Sequence, residues 1–161
     1  MGEAFFTADH HFGHANIIKY CNRPFSTVEE MDEFYIKQWN SMVSDKDTVY
    51  YLGDFTLNSD ASSYIVRLNG RKIIVIPGGH DKRWCRNCYN KRVEIEDSIV
   101  RYNSKLIICH YPIEEWEGKH HGVVHIHGHS HGNGRKIEGR FDIGIDVVGR
   151  PITYSEIEEN V

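Results

Sequence analysis

Five short apolar runs in this chain each close within four residues of an aspartate or a histidine. Ala4–Thr7 leads to Asp9, Thr48–Leu52 to Asp54, Lys72–Ile76 to His80, Leu106–Cys109 to His110, and Val123–His127 to His129. Runs of this length, bounded by turn residues, read as strands. Helical patterns separate the first three. Ser26-x-x-Glu29 reads as a capping box for a helix through about Val43, with Met31, Phe34, Trp39 and Met42 as its apolar positions. Asp60 reads as the cap of a shorter helix through Leu68, stopped by Asn69-Gly70. Strand–helix–strand order predicts a mostly parallel sheet with right-handed crossovers. Ligands in open α/β sheets bind outside the carboxyl ends of the strands. The aspartates and histidines are therefore expected along one sheet edge.

The second half changes character. Ile99–Tyr102 and Leu106–Cys109 read as a hairpin around Asn103-Ser104, and Val123–His127 and Phe141–Val147 as further strands between Gly-rich loops. Ser155-x-x-Glu158 suggests a short C-terminal helix. No internal repeat or linker divides the chain, so residues 1–161 are expected to form one domain.

The chemistry is concentrated. Seven of the eleven histidines (His110, His120, His121, His125, His127, His129 and His131) lie in one window, and three more lie in Asp9-His10-His11-Phe12-Gly13-His14. Histidine is the commonest metal ligand, and carboxylates add hard oxygen donors while neutralising cation charge. In an extended segment Asp9-x-His11 projects both side chains to one side, and His129-x-His131 repeats that geometry. Asp54 is a lone carboxylate with two oxygens to share between two cations.

The ordered series Asp9-x-His11, Gly53-Asp54, Gly78-Gly79-His80-Asp81, Cys109-His110 and Gly128-His129-Ser130-His131 resembles the calcineurin-like metallophosphoesterases. Those enzymes carry D-x-H, G-D, G-N-H-[DE], a lone H and G-H-x-H in that order. The match spans residues 9 to 131, and Asp146-Val147-Val148-Gly149-Arg150-Pro151 resembles the last strand and turn of small members. The resemblance implies a four-layered α/β/β/α sandwich, mixed β-sheets flanked by helices, with a dinuclear metal site. Asp9, His11 and His131 would hold one divalent ion, His110 and His129 the other, and Asp54 would bridge them. It further implies a phosphoesterase working by in-line attack of a metal-bridging hydroxide, the two ions lying ~3.5–4 Å apart. His80 would bind the phosphate and act as general acid. His14 and Asn16, in Phe12-Gly13-His14-Ala15-Asn16, are candidate substrate contacts. Mixed oxygen and imidazole ligation suits Mn²⁺, Fe²⁺, Zn²⁺ or Ni²⁺.

Gly79 departs from the pattern, standing where the family has an asparagine that binds the second metal. Either water or a backbone carbonyl replaces that ligand, or Asn16 or Asp81 reaches in, or the second site is impaired. Asp81 has two further readings, as a group orienting His80 and as a helix N-cap. Lys82, Arg83 and Arg86 read as a solvated loop or as a seat for a second phosphate. Trp84, Tyr111 and Trp116 read equally as base-stacking or as packing aromatics. His10 reads as a packing residue, and His125 and His127 as strand positions. Cys85-Arg86-Asn87-Cys88, with no second pair at zinc-ribbon spacing, reads as two reduced thiols in a loop.

Bulk properties narrow the classes. With 40% hydrophobic and 26% charged residues the composition is that of a soluble domain, and a net charge of −4 argues against an extended nucleic-acid-binding or membrane surface. No apolar run approaches the ~18–20 residues of a membrane span. The N-terminus lacks a secretion signal, so the cytoplasm is the expected compartment. The expected partner is a phosphoester substrate, including nucleotide or nucleic-acid-derived ones. An open, cap-less cleft leans toward phosphodiesters. The alternatives are a phosphomonoesterase acting on a nucleotide or phosphoprotein, a non-catalytic protein-interaction scaffold, and a metal store, which leaves His80 and Asp54 without a role.

Overall fold

Alternation of side chains along each strand decides how the layers assemble. In β1 (Ala4–Thr7) Phe5 joins an apolar cluster on one side and Phe6 a different cluster on the other. The computed structural model describes residues 1–160. Helix α1 (Ala15–Tyr20) and helix α2 (Val28–Met42) precede β2 (Thr48–Tyr51), and α3 (Ser62–Ile65) precedes β3 (Lys72–Val75). After α4 (Lys82–Arg86) come β4 (Val93–Ile95), β5 (Ile99–Asn103), β6 (Leu106–Cys109), β7 (Val124–His127) and β8 (Arg140–Asp142). The chain finishes with α5 (Ile145–Val148), β9 (Ile152–Thr153) and α6 (Tyr154–Glu159).

The strands form two mixed sheets. The first runs β4-β3-β2-β1-β9, with β1 to β4 parallel and β9 antiparallel to β1. The second runs β5-β6-β7-β8, with only the β5–β6 hairpin antiparallel. Phe5, Val49, Tyr51, Ile73 and Val75 face the helices, where α2 buries Met31, Tyr35, Ile36 and Trp39. Phe6, Leu52 and Ile76 face Leu106, Ile108, Val124 and Ile126 of the second sheet, forming the layer between the sheets. Outside the second sheet, Ile107 packs with Trp116 and Val123 under a single 3₁₀ turn, Lys119–His121.

Several local expectations shift. The cap of α2 is Thr27, one residue beyond Ser26: Thr27 Oγ1 accepts from Glu30 N at 3.2 Å, while Ser26 N donates to Glu30 Oε2. Two capping signatures overlap there, and spacing alone does not choose between them. Asp60 accepts from Ser62 N, but the N-cap of this helix is Ala61, and the helix ends at Ile65, continuing to Leu68 only as tight turns. The strand expected over Phe141–Val147 stops at Asp142, whose Oδ1 accepts from Gly144 N and turns the chain into α5. The C-terminal cap is Thr153, in a reciprocal box with Glu156, not Ser155. Cys85 lies on α4 and not in a loop; it and Cys88 pack against the helix-side core.

Among the described residues no helix is long and apolar enough to cross a membrane.

Candidate metal centre

Parallel pairing in register aligns the carboxyl ends of β1, β2 and β3, and the loops beyond them are laced together. Asp9 N donates to Gly53 O at 3.0 Å, His11 N to Asp54 O at 3.1 Å, and Phe12 N to Phe55 O at 2.8 Å. Among the described residues, five of the six non-glycine residues with positive φ are expected metal ligands: Asp9 (63°), His11 (53°), Asp54 (59°), His129 (68°) and His131 (47°). Positive φ costs a residue with a Cβ about 1–2 kcal/mol. Such conformations persist where the surroundings over-determine them and cluster at functional sites.

The structure brings the expected ligands together as two donor groups. Asp9, His11 and His131 form one, and Asp54, His110 and His129 the other, with each group's donor atoms within 4.8 Å of one another. Asp54 stands between them: its Oδ2 lies 3.3 Å from His110 Nε2 and 3.6 Å from His11 Nε2. His129 N donates to Asp9 Oδ2 at 2.9 Å and His80 N to Asp54 Oδ1 at 3.2 Å, so neighbouring backbone aims both carboxylates. His110 Nδ1 sits 2.6 Å from Leu52 O, which turns Nε2 into the site.

A divalent cation fits this donor set. Both ring nitrogens of His11 and Nε2 of His110 are buried without hydrogen-bond partners. Buried polar atoms of this kind are costly and call for an explanation. Burial pushes the His11 imidazole down to about 3, outweighing the nearby Asp54, so it is neutral and able to ligate. Burial also works to lift Asp54, but the facing His110 and its charge hold that carboxyl at about 2, ionised at neutral pH. Burial raises Asp9 to about 7 against the pull of His110 and His131, and a cation would favour its ionised form.

Two supporting groups were not legible in the sequence. His131 Nδ1 pairs with Asp146 Oδ2 at 2.7 Å, leaving Nε2 as its free donor atom. Asp146 is held in turn by the buried Arg23, through Nε to Oδ1 and Nη2 to Oδ2, both at 2.8 Å. Arg23 also donates to the backbone carbonyls of Asp9 and His10, each at 2.7 Å, tying the first ligand loop to α5. Carboxylates behind a ligating imidazole fix its tautomer and orientation.

Of the sequence readings of Asp81, the N-cap position is the one it takes, but its side chain serves another purpose. It occupies the N-cap position of α4 without a capping bond. Its carboxylate accepts instead from Asp54 N (2.6 Å), Gly78 N (2.7 Å), Phe55 N (2.9 Å) and Trp84 Nε1 (2.8 Å). One buried side chain thus joins the loops after β2 and β3 and consumes Trp84. Trp116 is likewise buried, bonded to Val123 O.

His80 is half-buried, its ring 5.3 Å from that of His11. His14, the N-cap of α1, has its ring 5.7 Å from His11, whereas Asn16 is exposed on α1 and belongs to neither donor group. A cleft of about 380 Å³ opens beside the second group, lined by Asp54, Leu57, Gly79, His80, Arg83, Tyr111 and His129. His125 and His127 are buried strand residues bonded to local backbone.

His10 is fully enclosed, stacked on Phe12, with Nδ1 3.0 Å from Tyr51 Oη. Burial, with Arg23 nearby, pushes it down to about 3. A base whose folded pKa lies below its unfolded value of ~6.5 takes up a proton on unfolding. His10 alone should therefore cost the metal-free protein about 2 kcal/mol of stability between pH 6.5 and pH 5. Urea midpoints across that range should fall in the parent and fall less steeply in His10→Gln. Parallel pH profiles for the two would dismiss this account.

Two mixed sheets facing one another, flanked by helices and carrying these donors at their shared edge, define a metallophosphoesterase-type fold. The Pseudomonas putida nuclease MPE shares the fold at a TM-score of 0.55 and 18% identity, over 80% of this chain and 61% of that one. A protein of unknown function from Aquifex aeolicus, AQ665, matches over the whole of both chains with a TM-score of 0.71 and 23% identity. At these identities the likeness concerns the fold. The uncharacterized protein MJ1445 of Methanocaldococcus jannaschii is 41% identical over 138 residues, covering 83% of this chain and 72% of that protein, and the chain belongs to its family. No family model matches the chain.

Proposed function

We propose that the protein is a metal-dependent phosphoesterase that prefers phosphodiesters. The observation that carries this reading is the position of Asp54 Oδ2, within 3.6 Å of imidazole nitrogens belonging to two different donor groups. One carboxylate oxygen so placed suits a pair of cations better than a single one. Asp9, His11 and His131 would hold the first, Asp54, His110 and His129 the second, with Asp54 shared. Divalent ions at such positions polarise a phosphoryl oxygen and activate water for in-line attack.

The remaining residues supply position and protons. The His80 imidazole faces the first group from the mouth of the cleft, where it binds the phosphate and protonates the departing oxygen, help worth roughly 10²–10⁴-fold. The His14 ring lies 5.7 Å from that of His11, placed to steady it or to touch substrate. His80 is reached from an open cleft, which favours the extended shape of a diester over an enclosed metabolite. A nuclease with the same fold supports a substrate of nucleic-acid type.

Chelator-stripped protein, titrated with Mn²⁺ and then Fe²⁺, Zn²⁺ or Ni²⁺, should hydrolyse an aryl phosphodiester saturably and faster than the matching aryl monoester. Faster monoester turnover would make it a phosphatase instead. No turnover of either compound with any of the four ions would overturn the enzymatic reading.

A further inference from the structure

The geometry points to Tyr111 Oη as the oxygen that completes the donor group of Asp54, His110 and His129, an inference that rests on the two-cation reading above. Three donors are fewer than the four to six that the divalent ions in question take. Tyr111 directly follows His110, and its ring stands edge-on to both imidazoles of the group, 4.7 Å from His110 and 4.8 Å from His129. Its hydroxyl reaches across the cleft toward Gly79. A Cβ built on Gly79 would lie 3.2 Å from Tyr111 Oη and within 4 Å of no other atom beyond its chain neighbours.

Gly79 is not there for its backbone, since its φ lies outside the left-handed region that favours glycine. What the absent side chain leaves is room, and Tyr111 Oη stands at its edge. The two other side-chain oxygens that the sequence offered are the Asp81 carboxylate and the Asn16 amide. The Asp81 carboxylate is bonded to four N–H groups, and Asn16 is exposed on α1. Arg83, in the same cleft, brings a cation. Gly79 and Tyr111 therefore act as a unit: one supplies space, the other an oxygen donor.

The test is calorimetric titration of Mn²⁺ into the stripped full chain. Tyr111→Phe keeps the ring against His110 and His129 and removes only the oxygen. With 42% of Tyr111 exposed, the fold does not depend on that hydroxyl. The parent should bind two ions. Tyr111→Phe should raise the dissociation constant of one by at least ~10-fold and leave the other unchanged. Adding Gly79→Asn to Tyr111→Phe, which places an amide oxygen in the same room, should recover most of that loss. Tyr111→Phe binding both ions as the parent does would overturn the inference, and so would an equal loss at both sites or no recovery in the double variant. A parent that binds fewer than two ions would instead remove the two-cation reading on which it rests.

Discussion

Asp54→Asn is expected to lower metal-dependent turnover by at least ~10²–10³-fold while leaving the fold intact. The substitution is nearly isosteric, and the backbone of residue 54 keeps its bond to Asp81 and its place beside His11. What changes is the charge on the single oxygen that faces both His11 and His110. Asparagine offers one neutral carbonyl and one N–H₂, so it cannot present anionic oxygen to two cations. The substitution also removes the one anionic donor shared by the two groups, so the loss should appear in cation stoichiometry as well as in rate. Turnover within tenfold of the parent at saturating Mn²⁺ would show that Asp54 does not bridge. His80→Gln makes a useful contrast, because it should cut the rate with both ions still bound.

The second large effect concerns stability. Asp81→Ala should destabilise the protein by roughly 3 kcal/mol or more, because it leaves three backbone N–H groups and the indole of Trp84 without their acceptor in the interior. For a chain of this size that is a fall in Tm of roughly 6–12 °C. Asp81→Asn should fall between, since one amide oxygen can serve part of the set while its N–H₂ meets donors. Burial raises the Asp81 carboxyl above its ordinary range, yet the four donors oppose that rise and favour the acceptor form. A loss under ~1 kcal/mol for the alanine variant, measured by urea unfolding, would mean that water replaces the carboxylate.

Much of the site could be read without coordinates, and the reason is local. Each strand of the βαβ half announces itself by four or five apolar residues, and its carboxyl end is the next turn, so periodicity puts Asp9, Asp54 and His80 along one sheet edge, while their roles there come from the resemblance. β4 and β9, at three and two residues, are too short to leave such a pattern. They exist because the edges of β3 and β1 offered partners. Arg23 and Asp146 lie 123 positions apart, and no spacing rule connects a buried guanidinium to a carboxylate at that distance in sequence. Asp81 shows a different failure. Its local pattern did fit a helix cap, but the unsatisfied N–H groups of two neighbouring loops made the stronger demand on its oxygens.

The left-handed backbone at Asp9, His11, Asp54, His129 and His131 has a consequence for anyone engineering this chain. Glycine at any of these positions would relieve about 1 kcal/mol of backbone cost at the price of a donor atom. Libraries screened for heat resistance, with no demand for turnover, should accumulate glycine there first. Heat-hardened descendants would then keep both sheets and dismantle the centre that the sheets hold.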